Sequence, residues 1–171
     1  MSIIFSILRS SLLLIIAVLS IVLSLTINEF GFFFGVTLLI GGALTAIYLF
    51  IHFDETLNEK VIMEALIDVF AGLVLLTFPE ISQRFVMVDF AFWIAVMGIL
   101  YLSGGFFNHK KSNYFWLYVL TGLALIIFGF IVMNYNPETL GSVNYLMSFA
   151  IILYGIVGIY LSIARKKVPF Q

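Results

Sequence analysis

Three carboxylates interrupt the long apolar runs of this sequence. Glu64 and Asp68 lie one helical turn apart in "VIMEALIDVF", residues 61–70, and Asp89 lies in "FVMVDFAFW". An ionised Asp costs about 2.5 to 3.5 kcal/mol near the middle of a membrane-spanning helix, so it should face the protein interior, find a partner or stay protonated. Glu64, Asp68 and Asp89 are therefore the candidate functional acids.

The spacing of these acids leaves two interpretations of Asp68 open. Lys60, Glu64, Asp68 and Gly72 recur every four residues, which places them on one face of a helix. At about 1.5 Å per residue, Glu64 lies roughly 5 Å and Asp68 roughly 10 Å from the inner helix end. Glu64 fits an interfacial residue or a partner of Lys60. Asp68 fits a structural acid bonded to a tyrosine or a carbonyl, or the titrating group of a small proton-linked transporter or channel, helped by Glu64 and Asp89.

Enzymatic interpretations find little support. Asp68 and Asp89 differ in depth by on the order of 10 Å, which disfavours a catalytic pair, and neither lies in a GxGD sequence. Ser103 has no predicted base within reach. Cysteine is absent, and His52 and His109 show no metal-binding spacing. The sequence predicts a protein that is not an enzyme, with no metal, cofactor or nucleic-acid partner.

The composition predicts the setting of these acids. Hydrophobic residues make up 63% of the 171 residues, charged residues only 10%, and the mean hydropathy is +1.20. Six apolar runs approach the roughly 20 residues that a helix needs to cross a bilayer, and none alternates in polarity as a spanning strand would. We therefore predict one all-α transmembrane domain, residues 1–171, with helices at about 10–27, 30–53, 61–78, 85–107, 114–133 and 143–164.

The basic residues predict the orientation. Arg84 alone falls on one side, and seven cations fall on the other: Arg9, Lys60, Lys110, Lys111, Arg165, Lys166 and Lys167. By the positive-inside rule, both termini are cytoplasmic. The N-terminal run has a cation before an apolar stretch but no small-residue cleavage site, so we interpret it as an uncleaved first helix rather than a signal peptide.

Similar sequences end three of the helices. "GLVLLTFPE", residues 72–80, recurs as "GFIVMNYNPE", residues 129–138, and "SIVLSLTINE", residues 20–29, keeps a small first residue and the final Glu. Short connections make sequential helices antiparallel. The sequence thus predicts three repeated antiparallel hairpins around an axis along the membrane normal, unlike the inverted repeats of many transporters.

These hairpins resemble the HdeD-like acid-resistance membrane proteins, small six-helix proteins of the bacterial inner membrane. The resemblance extends over essentially the whole chain and rests on Gly72, Pro79, Gly129, Pro137, Gly104, Gly105, Gly155 and Gly158. The first hairpin departs from the pattern, with Ser20 in place of the glycine and no proline. The resemblance implies a multi-pass protein of the bacterial cytoplasmic membrane, linked to acid or envelope stress, and supplies no catalytic residue.

Glycines are expected at helix contacts, where they let backbones approach closely in lipid. Gly31 and Gly35 form a small-xxx-small pair, and the full expected set is Gly31, Gly35, Gly72, Gly104, Gly105, Gly129, Gly155 and Gly158. The expected partners are the lipid bilayer and either further copies of the chain or another membrane or periplasmic protein.

Glu29, Glu80 and Glu138 occupy the same outer corner of the three predicted hairpins. A model glutamate titrates near pH 4.3, so all three would lose their charge in strong acid. One hypothesis is that this protonation alters packing or a partner interface on the periplasmic side. The alternative is that each Glu is simply a polar turn residue.

Overall fold

Six helices account for nearly all of the structure, which is a computed structural model. It describes residues 2–51, 59–77, 82–108, 113–136 and 143–165, with side chains for 4–51, 61–77, 82–107, 113–136 and 143–164. The helices are α1 Ser2–Val22, α2 Ile27–Ile51, α3 Glu59–Thr77, α4 Gln83–Ser103, α5 Phe115–Asn134 and α6 Val143–Arg165. A short π-helix, Gly104–Asn108, continues α4. No strand occurs in these ranges, so the predicted all-helical class is confirmed.

Length and composition make this a membrane protein. Among the described helices, α1, α2, α4 with its π-helix, α5 and α6 are long and apolar enough to cross a bilayer. Their outward faces carry large apolar side chains such as Phe50 and Phe107, each 85% exposed. The remaining helix, α3, has 19 residues, among them Glu59, Lys60, Glu64 and Asp68. Its charges set it apart from the other five.

The first helix lies earlier in the chain than predicted. α1 runs over Ser2–Val22 rather than 10–27, because Arg9 is not a flanking cation but a buried residue within the helix. The helix ends where Ser24 adopts a left-handed conformation, with φ 51°. The amide of Leu25 then bonds the carbonyl of Ser20 at 3.1 Å, which closes the last turn. α2 begins at Ile27 rather than residue 30. α4 ends at Ser103, four residues before the predicted end, but its π-helix continues to Asn108, and the other ends lie within two residues of the predicted bounds.

The six helices form a closed ring. The most extensive packing joins α2 with α3, α4 with α5, and α1 with α6. We call these three pairings the seams. Helices within the predicted hairpins, α1 with α2, α3 with α4 and α5 with α6, pack less extensively. The ring is closed because α6 returns to α1.

The three seams are built alike. In each seam, a Cβ added at one glycine of the even-numbered helix would meet a side chain and a backbone carbonyl of the odd-numbered helix. At Gly42 these are Val69 and the Ala65 carbonyl. At Gly98 they are Ile126 and the Gly122 carbonyl, and at Gly155 they are Leu14 and the Ser10 carbonyl. Ser10, Ala65 and Gly122 are therefore equivalent positions. Seven residues further on, Gly72 and Gly129 correspond to Ala17, not to Ser20 as the sequence comparison suggested.

The even-numbered helices meet at the centre of the ring. Phe34 of α2 packs against Phe90 and Trp93 of α4, with ring centroids 5.5 and 5.1 Å apart. Trp93 packs against Tyr154 of α6 at 5.4 Å, and Tyr154 packs against Tyr101 at 5.7 Å. Each of these side chains is at most 3% exposed. Side chains therefore fill the axis of the bundle.

Candidate functional site: a buried charged cluster

Arg9 and Asp68 form an ion pair inside the bundle. The Nε of Arg9 donates to Oδ2 of Asp68 at 2.5 Å, and Nη2 donates to Oδ1 at 2.9 Å. Arg9 is 7% exposed and Asp68 is fully buried. Two parallel hydrogen bonds between a guanidinium and a carboxylate make the strongest geometry available to such a pair. The pair links α1 to α3, which are not neighbours in the ring.

A tryptophan supplies the third hydrogen bond to Asp68. Nε1 of Trp93, on α4, donates to Oδ1 at 2.9 Å. Space for the pair comes from Gly41 of α2, where an added Cβ would lie 3.4 Å from Cγ of Arg9 and 3.9 Å from Oδ2 of Asp68. Asp68 thus has partners from two helices and lies beside a third, and a full set of donors offsets much of the cost of its burial.

Every N–H group of the Arg9 guanidinium has an acceptor. Beyond the two bonds to Asp68, Nη1 donates to Oε2 of Glu64 at 3.0 Å and to the hydroxyl of Tyr154 at 2.5 Å. Nη2 also faces the sulfur of Met97 at 3.7 Å. The guanidinium carbon lies 5.4 Å from the centroid of the Tyr154 ring, within cation–π range. Five donors and five acceptors leave this buried cation fully satisfied.

We call this group the Arg9 cluster: Arg9, Glu64, Asp68, Trp93, Met97 and Tyr154. It contains one guanidinium and two carboxylates, so it carries one excess negative charge when both acids are ionised. The two acids differ in environment. The Asp68 side chain is 1% exposed, whereas that of Glu64 is 15% exposed and receives a single bond from Arg9. Glu64 is therefore the edge of the cluster.

The ring repeat explains why these residues meet. Arg9, Glu64 and Thr121 each precede the equivalent positions Ser10, Ala65 and Gly122 on α1, α3 and α5. On the even helices, Gly41, Met97 and Tyr154 likewise each precede Gly42, Gly98 and Gly155. The cluster is thus built largely from one layer of the ring, which contains Arg9, Glu64, Met97 and Tyr154, with Asp68 one turn further along α3.

The third candidate acid lies outside the cluster. Asp89 is near the start of α4, is 8% exposed, and its Oδ2 has no hydrogen-bond partner within the described ranges. The indole of Trp93, one turn further along α4, donates to Asp68 instead. The structure therefore brings Glu64 and Asp68 together and leaves Asp89 apart.

Only one of the three corner glutamates lies in the described residues. Glu29 forms a capping box with Thr26, whose backbone N–H and hydroxyl donate to Oε2 at 2.8 and 2.9 Å. The amide of Glu29 donates in return to Oγ1 of Thr26 at 3.3 Å. This is the pattern that starts a helix. Glu80 and Glu138 lie outside the described residues, as do Pro79, Pro137, His52 and His109.

The packing glycines occupy several different contacts. Gly72, Gly129 and Gly155 lie in the seams: a Cβ at Gly72 would be 2.8 Å from the Gly35 carbonyl, and one at Gly129 would be 2.8 Å from the Ala91 carbonyl. Gly158 faces the Ser10 hydroxyl across the α1–α6 seam. Outside these places, Gly31 abuts Val86 of α4, and Gly104 and Gly105 abut Tyr118 of α5.

Arg9 is the site residue that sequence reasoning missed as a partner. The sequence alone predicts Arg9 at the membrane boundary, because a cation usually ends an apolar run. One signal does identify it: an acid such as Asp68 inside an apolar helix requires a partner. Among the eight Lys and Arg residues, Arg9 stands out because apolar sequence lies on both sides, "SIIFSIL" before it and "SSLLLIIAVL" after it.

This architecture defines a polytopic helical membrane protein with internal repetition. A family model described as "Short repeat of unknown function (DUF308)" matches residues 63–134 and again residues 120–170. Because these matches cover more than half of the chain, the protein belongs to the DUF308 family, which includes the HdeD-like membrane proteins. The searches of curated proteins and of solved structures found no match.

Proposed function

We propose that this protein is a non-catalytic, six-span protein of the bacterial inner membrane that acts in the response to acid or envelope stress. Both termini face the cytoplasm in this proposal. The protein would act through the packing of its helices and through contacts with further copies or with another membrane or periplasmic protein. The observation that carries the proposal is the Arg9 cluster, which ties α1, α3, α4 and α6 together around a filled axis.

The pairing of its charges supports a membrane-spanning α3. Asp68 and Glu64 both point to Arg9 inside the bundle rather than to lipid. The exposed face of α3 carries Met63, Leu66, Phe70 and Leu73. A helix with its acids paired inward and apolar side chains outward meets the requirement for crossing a bilayer. With its 19 residues, α3 then serves as the sixth span.

The packed interior supports a non-transporting role. A transport path requires a water-filled route past the titrating group, and the layers around Asp68 hold Trp93, Met97, Tyr154 and Ile94, each at most 2% exposed. Asp68 also accepts three hydrogen bonds. Moving a proton through this site would require the helices to separate.

The second candidate is a small proton-linked transporter in which the cluster titrates. The observation that favours it is that two acids bond the same guanidinium and that one of them, Glu64, lies at the partly exposed edge of the cluster. In this alternative, Asp68 or Glu64 accepts a proton when the ring opens.

Proton flux and acid survival separate the two candidates. The purified protein is reconstituted in liposomes with an internal pH-sensitive dye, and flux is measured after a pH jump for wild type, Asp68→Asn and Glu64→Gln. The proposed function predicts flux equal to that of protein-free liposomes in all three. It also predicts that deleting the gene lowers survival of the host in acid and that wild type restores it. Flux that Asp68→Asn abolishes, in protein that remains folded, would establish the transporter instead.

Arg84→Gln is the matched control in both assays. Arg84 is exposed at the start of α4, so the substitution removes a charge without touching the cluster.

An unchanged acid survival on deletion of the gene would contradict the link to acid stress.

A further inference from the structure

The α1–α6 seam is polar where the other two seams are apolar. At the position three residues after Gly72, Gly129 and Ala17, α3 has Leu75 and α5 has Val132, but α1 has Ser20. On the facing helix of this seam, α6 carries the polar residues Asn144 and Ser148. The corresponding positions are Gly31 and Gly35 on α2, and Met87 and Ala91 on α4. One seam of the three therefore brings polar side chains to the same end of the bundle.

These side chains surround a cavity of about 80 Å³. Its lining residues are Ser20, Ser24, Leu25, Asn144 and Tyr145. Ser20 is 2% exposed, and within the described part of the chain neither its Oγ nor the Oδ1 of Asn144 has a hydrogen-bond partner. Nδ2 of Asn144 donates to the carbonyl of Leu25, which fixes the amide so that Oδ1 is the atom left for a ligand. A buried oxygen without a hydrogen-bond partner or ligand destabilises the fold, so each of these two atoms requires one.

Two helix ends meet at this cavity. The last carbonyls of α1, which terminates beside Ser24, carry the negative end of its dipole, while Asn144 and Tyr145 lie in the first turn of α6, which carries a positive end. The choice of ligand therefore rests on the oxygen atoms of the lining. Among the described residues, the lining contributes hydroxyl, amide and carbonyl oxygens and no basic side chain. Oxygen ligands beside a helix C-terminus are a setting in which membrane proteins coordinate sodium. A divalent cation is disfavoured because such ions are usually held by carboxylates, and the described lining residues include none.

We propose that this cavity, the α1–α6 notch, binds a small monovalent cation, sodium. Ser20 Oγ and Asn144 Oδ1 are its side-chain ligands. The volume accommodates the ion and one or two waters, since a water occupies roughly 30 Å³ in the liquid. A bound ion would tie the end of α1 to the start of α6, where the ring closes.

Thermal unfolding of the detergent-solubilised protein tests this site. The unfolding midpoint is followed as NaCl replaces choline chloride at constant ionic strength, because a ligand that binds the folded state raises the midpoint as its concentration rises. We expect a saturable rise with sodium. Ser20→Ala should raise the concentration for half of this effect at least about tenfold.

Ser162→Ala is the matched control, because Ser162 lies at the far end of α6, the helix that carries Asn144, and donates to the Gly158 carbonyl at 2.7 Å. This variant should keep the full sodium response even if its midpoint in choline is lower. If Ser20→Ala does not fold, direct binding of radioactive sodium to wild type replaces it, and saturable binding is expected. Two results would overturn the proposal. One is a wild-type midpoint that is the same in both salts, as expected if the notch holds only water. The other is a sodium response in Ser20→Ala that equals that of wild type.

Discussion

Arg9 and Asp68 are 59 residues apart in the chain and share two parallel hydrogen bonds in the interior of the bundle. Both residues are buried, so each neutralises the charge of the other in an interior where an isolated ion is strongly destabilising. Breaking one side of such a pair leaves a buried charge without compensation, which commonly costs about 3 to 5 kcal/mol. The pair therefore serves as a clamp between α1 and α3.

Gly72 should tolerate no side chain. A Cβ there would lie 2.8 Å from the Gly35 carbonyl and 3.0 Å from the Leu39 amide, so Gly72→Ala forces two backbones apart. We expect a loss of about 1 to 3 kcal/mol in the free energy of unfolding. At Gly104 the nearest atom to an added Cβ is 3.7 Å away, so Gly104→Ala should change stability by no more than about 0.5 kcal/mol. Equal effects in a denaturant titration would refute the close packing of the α2–α3 seam.

Closure of the ring predicts a specific cross-link. The hydroxyls of Ser6 on α1 and Ser162 on α6 lie 2.9 Å apart, and the chain has no native cysteine. Ser6→Cys combined with Ser162→Cys should form an intramolecular disulfide on mild oxidation, seen as a mobility shift that reductant reverses. Ser6→Cys combined with Ser103→Cys, on α4, should not. The opposite pattern would mean that α6 does not return to α1.

The proposed orientation predicts which ends a membrane-impermeant thiol reagent reaches. Single cysteines at Ser2 and Gln171 should react only after the cells are lysed, because both termini are cytoplasmic in the proposal. A cysteine at Arg84, exposed at the start of α4, should react in intact cells. Labelling of the termini in intact cells would show that the orientation is the reverse of the proposed one or that the number of spans differs from six.

The corner glutamates carry a separate prediction about acid. Replacing Glu29, Glu80 and Glu138 together by Gln mimics their protonated state, since a model glutamate loses its charge below about pH 4.3. If protonation of these corners is the signal, the triple variant should alter acid survival of the host. Thr26→Ala is the control for the capping box, because it removes a hydrogen bond of Glu29 without changing charge. Unaltered acid survival would show that protonation of these three glutamates is not the signal.

Local sequence was enough to predict the helices but not their partners. The apolar runs, the glycines and the isolated Asp68 are local features, and they led to the helical class and to a buried acid in need of a partner. The partners of Asp68 are Arg9 of α1 and Trp93 of α4, so they depend on how these helices pack around α3 and on the register of α1, both of which are tertiary properties. The same holds for Ala17, whose equivalence to Gly72 emerges from the seam contacts and not from the aligned letters.

A double-mutant cycle on Arg9 and Asp68 tests the clamp most directly. Unfolding free energies are measured in lipid–detergent micelles for wild type, Arg9→Gln, Asp68→Asn and the double variant, with Arg84→Gln as the control for loss of a charge. Arg9→Gln leaves the buried Asp68 without its cation and should cost about 3 to 5 kcal/mol, whereas Asp68→Asn leaves Arg9 paired with Glu64 and should cost less.

In the double variant, removing Asp68 should restore part of the loss caused by Arg9→Gln, giving a coupling energy above about 1 kcal/mol. That result would establish the Arg9–Asp68 pair as a structural clamp. Additive losses within about 0.5 kcal/mol, or an Arg9→Gln protein as stable as wild type, would contradict it.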